Sequence, residues 1–114
     1  MTINEIVALT DGRVICNREM CDKQLDYAFA SDLMSDVLRL KADNFLLVTG
    51  LANLQSIRTA ELSDVRCVLM VRGKMPSDDM VELAAEQGIV LVVTPFSMYR
   101  ASGVLFRAGL TPVY

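Results

Sequence analysis

Three short apolar runs, each closed by a polar turn, set the pattern of the chain. Phe45–Thr49, Val65–Val71 and Ile89–Val93 end at Thr49-Gly50, Arg72-Gly73-Lys74 and Thr94-Pro95. Near-continuous apolar runs of this length read as strands buried on both faces. Between and after them the period changes. Leu54, Ile57, Ala60 and Leu62 follow the first run, Met80, Val81, Leu83, Ala84 and Ala85 the second, and Met98, Ala101, Leu105 and Ala108 the third. These are helical spacings. Strand alternating with helix predicts parallel strands joined by right-handed crossovers.

The amino-terminal part is more broken. Thr2-Ile3-Asn4-Glu5 fits a capping box, and Ile3, Ile6, Val7 and Leu9 give a short helix stopped by Asp11-Gly12. Arg13–Cys16 reads as a strand, Asn17–Lys23 as a loop, and Leu25–Phe29 as a half-buried edge strand. Ser31-Asp32 then opens a helix whose buried stripe is Leu33, Val37 and Leu40, with Lys41 in its last turn. Further on, Asn53 or Ser56 opens one helix and Ser77, followed by Asp78 and Asp79, opens the next, which Gly88 ends. Pro95 suits the first position of the last helix, and Gly109 closes it. The apolar tail Leu110–Tyr114 is expected to dock on something. The architecture predicted is a single α/β domain over residues 1–114. It is a three-layer sandwich with a central, mostly parallel sheet of about five strands and helices on both faces.

Composition narrows the function. Hydrophobic residues are 53% of the chain and charged ones 22%, an apolar surplus that fits a buried sheet together with a surface for a partner copy. The net charge of −3 is scattered, with no basic block interleaved with aromatics, so a nucleic-acid surface is not indicated. No apolar run approaches the roughly 18 residues that span a bilayer, and the first residues carry no basic n-region, which places the protein in the cytoplasm. Cys16, Cys21 and Cys67 are odd in number and lack a Cys-x-x-Cys pair, so they read as reduced, mostly buried small hydrophobes. There is no histidine, which removes Ser-His-Asp and Cys-His machinery and the common zinc sites. No catalytic group, metal or cofactor is assigned.

The candidate chemistry sits in the polar turns, because open α/β sheets bind ligands at the carboxyl ends of their strands. Arg72-Gly73-Lys74 places two cations around a glycine, with a helix start a few residues on, a setting for a phosphate or carboxylate. Against that stands a tight turn with its charges solvated or paired to Asp78 or Asp79. Thr49, Gly50, Asn53, Thr94 and Ser97 offer hydroxyl, amide and backbone donors to the same rim, although capping and turning account for each singly. Neither the Gly-x-Gly-x-x-Gly spacing nor a P-loop is present. Ser31-Asp32 and Ser35-Asp36 put two carboxylates on one helix face, too few oxygens for a divalent cation.

Leu47-Val48-Thr49-Gly50, Arg72-Gly73-Lys74-Met75-Pro76 and Gly88–Thr94 together resemble the DRTGG domain, a regulatory α/β module that accompanies phosphotransacetylases and CBS-containing pyrophosphatases in bacteria. Leu51-Ala52-Asn53 stands where that family has Asp-Arg, and Val71-Arg72-Gly73 where it has Leu-Thr-Gly-Gly. The first 40 or so residues are more weakly similar to the amino-terminal domains of HPr kinase/phosphorylase and some Mur ligases. The resemblance implies non-catalytic work, dimerisation and relay of a regulatory signal; joined to the cationic Arg72-Gly73-Lys74 turn it gives the first reading, a homodimer that senses a small anionic, phosphorylated metabolite. A second reading is a protein-interaction subunit without a small-molecule site, linked to the anaerobic redox setting of iron-only hydrogenases where small relatives occur. A third is a phosphate-handling enzyme with Asp32 or Asp78 as base and Lys74 as electrophile.

Overall fold

In the computed structural model, which describes residues 1–114, the capping box at the amino terminus is complete. Thr2 accepts from the Glu5 N–H at 3.1 Å, and the Glu5 carboxylate accepts from the Thr2 N–H at 3.1 Å. Two helix-end donors are thereby satisfied, and α1 (Ile3–Leu9) buries Ile3 and Ile6. Next come β1 (Arg13–Cys16), a single 3₁₀ turn at Arg18–Met20, β2 (Tyr27–Ala30) and α2 (Met34–Leu38). The three apolar runs become β3 (Phe45–Thr49), β4 (Cys67–Met70) and β5 (Val90–Val93), every residue of them buried. They alternate with α3 (Leu54–Leu62), α4 (Asp78–Glu86) and α5 (Met98–Arg107), and the chain ends on β6 (Thr111–Pro112).

The strand order is β1-β5-β4-β3-β2-β6. The fold is α/β, but the sheet has six strands where about five were predicted, and it is mixed where a mostly parallel one was predicted. β1 runs antiparallel to β5 and forms one edge. At the other edge β6 pairs in parallel with β2. Two residues cannot display a period, and Pro112 is tolerated there because an edge strand leaves its N–H side unpaired. The tail docks as predicted, with the Val113 N–H donating to the Ala28 carbonyl at 3.1 Å.

Alternation along the strands splits the core into two layers. Leu46, Val48, Cys67, Leu69, Val90 and Val92 face α1 and α5, and pack with Ile3, Ile6, Ala101 and Leu105. Phe45, Leu47, Val68, Met70 and Leu91 face the other way, against Val37, Ile57, Ala60, Met80 and Ala84 of α2, α3 and α4. One face of the sheet therefore carries three helices and the other two.

Two helix starts differ from their prediction. α2 is only five residues long and its N-cap, Leu33, has no side-chain cap. The Ser31 hydroxyl instead accepts from the Leu33 N–H at 2.9 Å in a local turn, and Asp32 is recruited elsewhere. α5 begins at Met98 with Ser97 as its cap, leaving Pro95 in the turn before it. Asn53 and Ser77 cap α3 and α4 through the Ser56 and Met80 N–H groups.

Candidate functional site

Register decides which polar turns meet. Thr49 pairs with Met70 and Met70 with Val93, so β3, β4 and β5 end level with one another. The residues just beyond form one rim at the carboxyl edge of the sheet. The turns are laced together by backbone bonds. Val71 N–H donates to Thr49 O at 3.0 Å, Arg72 N–H to Phe96 O at 2.7 Å, and Gly73 N–H to Thr94 O at 3.0 Å. Arg72 and Gly73 both take left-handed backbone, with φ of 65° and 66°. For a non-glycine that conformation costs roughly 1–2 kcal/mol, and it persists here because the surrounding bonds over-determine it.

Arg72 turns back over β3. Its Nη2 donates to the Gly50 carbonyl at 3.1 Å, and Nη1 stands 3.6 Å from Asp32 Oδ2. The guanidinium lies so close to Gly50 that a Cβ there would sit 2.4 Å from Nη2. Asp32 is the hub. Its Oδ1 accepts from the Thr49 hydroxyl at 3.0 Å and from the Gly50 N–H at 2.6 Å. Two hydrogen-bond donors from the end of β3 and a cation from the end of β4 thus converge on one carboxylate, a setting suited to an anion, with the protein's own side chain as occupant. Neither Asp32 nor Arg72 is sealed in, their side chains being 44% and 48% exposed.

The remaining predicted residues divide between lining and structure. Thr94 is buried; its hydroxyl donates to the Thr10 carbonyl and accepts from the Phe96 N–H at 3.1 Å. Thr49 is also buried and, besides its bond to Asp32, accepts from the Leu51 N–H at 3.2 Å. Asn53 and Ser97 are engaged as caps of the helices that leave the rim. The Gly73 N–H already serves Thr94, so the turn presents side chains rather than backbone donors to a ligand. Lys74 is exposed and makes no ion pair, with Asp78 and Asp79 or any other acid, because the only two in the molecule are Asp64–Arg66 and Asp32–Arg72. Sequence reasoning missed Asp32 and Thr10 as members of the rim. An acid directly after an edge strand is the available signal for Asp32, and the same residue equally fits a helix cap.

A second concavity lies away from the rim. A groove of about 760 Å³ runs between α5 and the β2–β6 edge, floored by Ala28, Ala30 and Val48. No pattern in the sequence marked it. No group of three or more Cys, Asp or Glu side chains is placed to hold a metal ion, and no helix is long and apolar enough to cross a membrane.

No family model matches the chain, and no curated protein matches it in sequence. A solved structure does match in three dimensions. It comprises the CBS and DRTGG domains of the regulatory region of Clostridium perfringens pyrophosphatase, complexed with its activator, diadenosine tetraphosphate. The superposition has a TM-score of 0.74 at 16% identity and takes in 98% of the present chain. The chain has a DRTGG/CBS-like fold. It spans about half, 48%, of the pyrophosphatase chain, and at this identity the likeness is one of architecture.

Proposed function

We propose that the chain is a small, non-catalytic DRTGG-type regulatory domain that senses a small anionic metabolite at the carboxyl rim of its sheet and works as a homodimer. The observation that carries this reading is the convergence of the Thr49 hydroxyl, the Gly50 N–H and the Arg72 guanidinium on the Asp32 carboxylate. A phosphate offers the same acceptor geometry with more charge, and adds Lys74, which has no internal partner. Displacing Asp32 frees the segment that leads into α2, because Asp32 is two residues from the first residue of that helix. An anion then favours the arrangement with Asp32 released, and it is this difference in affinity that shifts the equilibrium.

The proposed dimer face is the helix layer to which Asp32 connects. α2 packs against α3, and Leu33, Leu38 and Leu62 stand 59%, 53% and 77% exposed around that pair. Large exposed aliphatic side chains beside a short, weakly capped helix suit a partner copy whose fit depends on how α2 sits. Asp32 accepts two hydrogen bonds and faces Arg72, and Asp78 lies in a helix first turn, so neither is offered as a catalytic base.

Thermal-shift measurements with inorganic phosphate and phosphorylated metabolites test the rim. A ligand at a hundred times its Kd adds about 2.7 kcal/mol of stability. Wild type should be stabilised, Asp32→Ala stabilised by a larger margin, and Arg72→Ala/Lys74→Ala not at all. If no anion separates wild type from the double variant, the second reading takes over: an interaction subunit whose strand-end crevice is closed by its own side chain. Sedimentation of Leu33→Ser/Leu62→Ser against wild type tests the dimer.

A further inference from the structure

The rim carries cations toward both of its ends, and Asp32 occupies only one of them. Resting on the anion-sensing reading of that rim, we infer that its ligand is a chain of linked phosphates rather than a lone phosphate, and that Arg13 binds the end of the chain remote from Arg72.

Arg13 reaches the rim through the strand that breaks the parallel pattern. β1 is antiparallel to β5, with Arg13 opposite Val93. The start of β1 therefore lies at the carboxyl ends of its neighbours, beside the turn whose Thr94 hydroxyl donates to the Thr10 carbonyl. A parallel strand in that place would send its first residue to the opposite edge of the sheet. Arg13 is exposed, and its one side-chain hydrogen bond is to Met75 Sδ at 3.5 Å. A thioether is a weak acceptor, so the contact steadies the guanidinium against the loop after β4 and leaves its other donors free.

That loop has two poles. Arg72 turns back toward β3, where its guanidinium meets Gly50 and Asp32. Beyond Gly73 the chain heads the other way, because α4, into which it leads, packs on β1 and β5. Met75 meets Arg13 on that second side, and Lys74 immediately precedes it. Between the poles the surface is open, since a Cβ on Gly73 would meet nothing within 4 Å. Asp11, Asp78 and Asp79 are near in the chain, yet none of them forms an ion pair with Arg13 or Lys74. Both cations are left for a ligand.

Distance sets the ligand class. Gly50 follows β3, Arg13 begins β1, and β4 and β5 lie between them. Three strand spacings are roughly 14 Å, too far for one phosphate to touch both ends. The Arg13 side chain shortens the span by reaching to the loop after β4, and a run of linked phosphates covers what is left. Its first phosphate takes the place of the Asp32 carboxylate, with the Thr49 hydroxyl, the Gly50 N–H and Arg72 as partners. The span then passes Lys74, so charge along the whole ligand is matched, which a carbon spacer would not supply.

Isothermal titration of the full chain at constant ionic strength compares orthophosphate with tripolyphosphate. Wild type should bind tripolyphosphate at least about fivefold tighter, the size of one further exposed ion pair. Arg13→Gln should lose that gain and leave orthophosphate affinity unchanged, whereas Arg13→Lys, which keeps the charge, should retain most of it. Arg72→Ala should weaken both anions. Arg107→Gln removes the same charge from the last turn of α5, at the opposite end of that helix from the rim, and should change neither. Equal affinity for the two anions, tripolyphosphate binding indifferent to Arg13→Gln, a loss that orthophosphate shares, or the same loss from Arg107→Gln each overturns the inference. In those cases orthophosphate binding that still depends on Arg72 leaves the anion-sensing rim standing. A wild type that binds neither anion removes the rim reading, and this inference with it.

Discussion

Replacing Asp32 by alanine removes the acceptor on which the rim is assembled, and the cost can be worked from its contacts. Oδ1 takes two hydrogen bonds, from the buried Thr49 hydroxyl at 3.0 Å and the Gly50 N–H at 2.6 Å. Bonds to a charged group contribute about 1.5–3 kcal/mol each when fully buried. The Asp32 side chain is 44% exposed, so water competes for these bonds and each falls below that range, at about 1 kcal/mol. The ion pair to Arg72 at 3.6 Å is half in solvent and adds a few tenths of a kcal/mol. Asp32→Ala should therefore lose about 2–3 kcal/mol. Asp32→Asn keeps an oxygen facing Thr49 and Gly50 but loses the charge, and should lose about 1 kcal/mol. Urea unfolding measures both, with m unchanged if the denatured state is unaffected. At about 4 °C per kcal/mol for a domain of this size, the melting temperature of the alanine variant should fall by about 10 °C. An alanine variant within about 0.5 kcal/mol of wild type, or an asparagine variant as weak as alanine, would show that Asp32 is a bystander on a solvated turn.

Thr94→Val keeps the shape of a buried side chain but strands the Thr10 carbonyl and the Phe96 N–H, and should cost about 1–3 kcal/mol by urea unfolding. The Glu5 carboxyl is held below the ordinary glutamate range by the Thr2 N–H first and the Thr2 hydroxyl second. A lowered folded pKa means that its contribution is complete above the unfolded value and lost as pH falls through the folded one. Glu5→Gln should accordingly flatten the acid limb of stability against pH, measured by thermal melts in buffers spanning that range. Burial raises the thiols of Cys16, Cys21 and Cys67, most of all Cys67, which is fully enclosed. Mass-spectrometric labelling of the native protein at neutral pH should find Cys67 protected until unfolding and Cys16, the one thiol not fully covered, modified first.

The likeness in fold rests on the order and direction of strands, of which the three parallel core strands are legible in the residues and the flanking ones are not. β3 was located to the residue, and β4 and β5 lie inside the runs that marked them. The Thr2, Asn53 and Ser77 caps are likewise read from short-range chemistry, since a capping side chain needs only the N–H two or three residues ahead. The level ends of β3, β4 and β5 follow from the parallel arrangement that the alternation of strand and helix required. That is why the polar turns share one rim.

The chain's own pattern thus determined the class of fold, three core strands and the set of turns that meet at the carboxyl edge, because periodicity and capping act over a few neighbours. Tertiary structure decided what those turns do. Asp32 looked like a helix cap because Ser31-Asp32 precedes an amphipathic stretch; only pairing of β2 with β3 brings its carboxylate to the Gly50 N–H, and only the left-handed turn at Arg72 brings the guanidinium back over it. The antiparallel β1, the two-residue β6 and the groove beside α5 are likewise products of long-range pairing. Such contacts join residues tens of positions apart, and no local pattern of side chains encodes them.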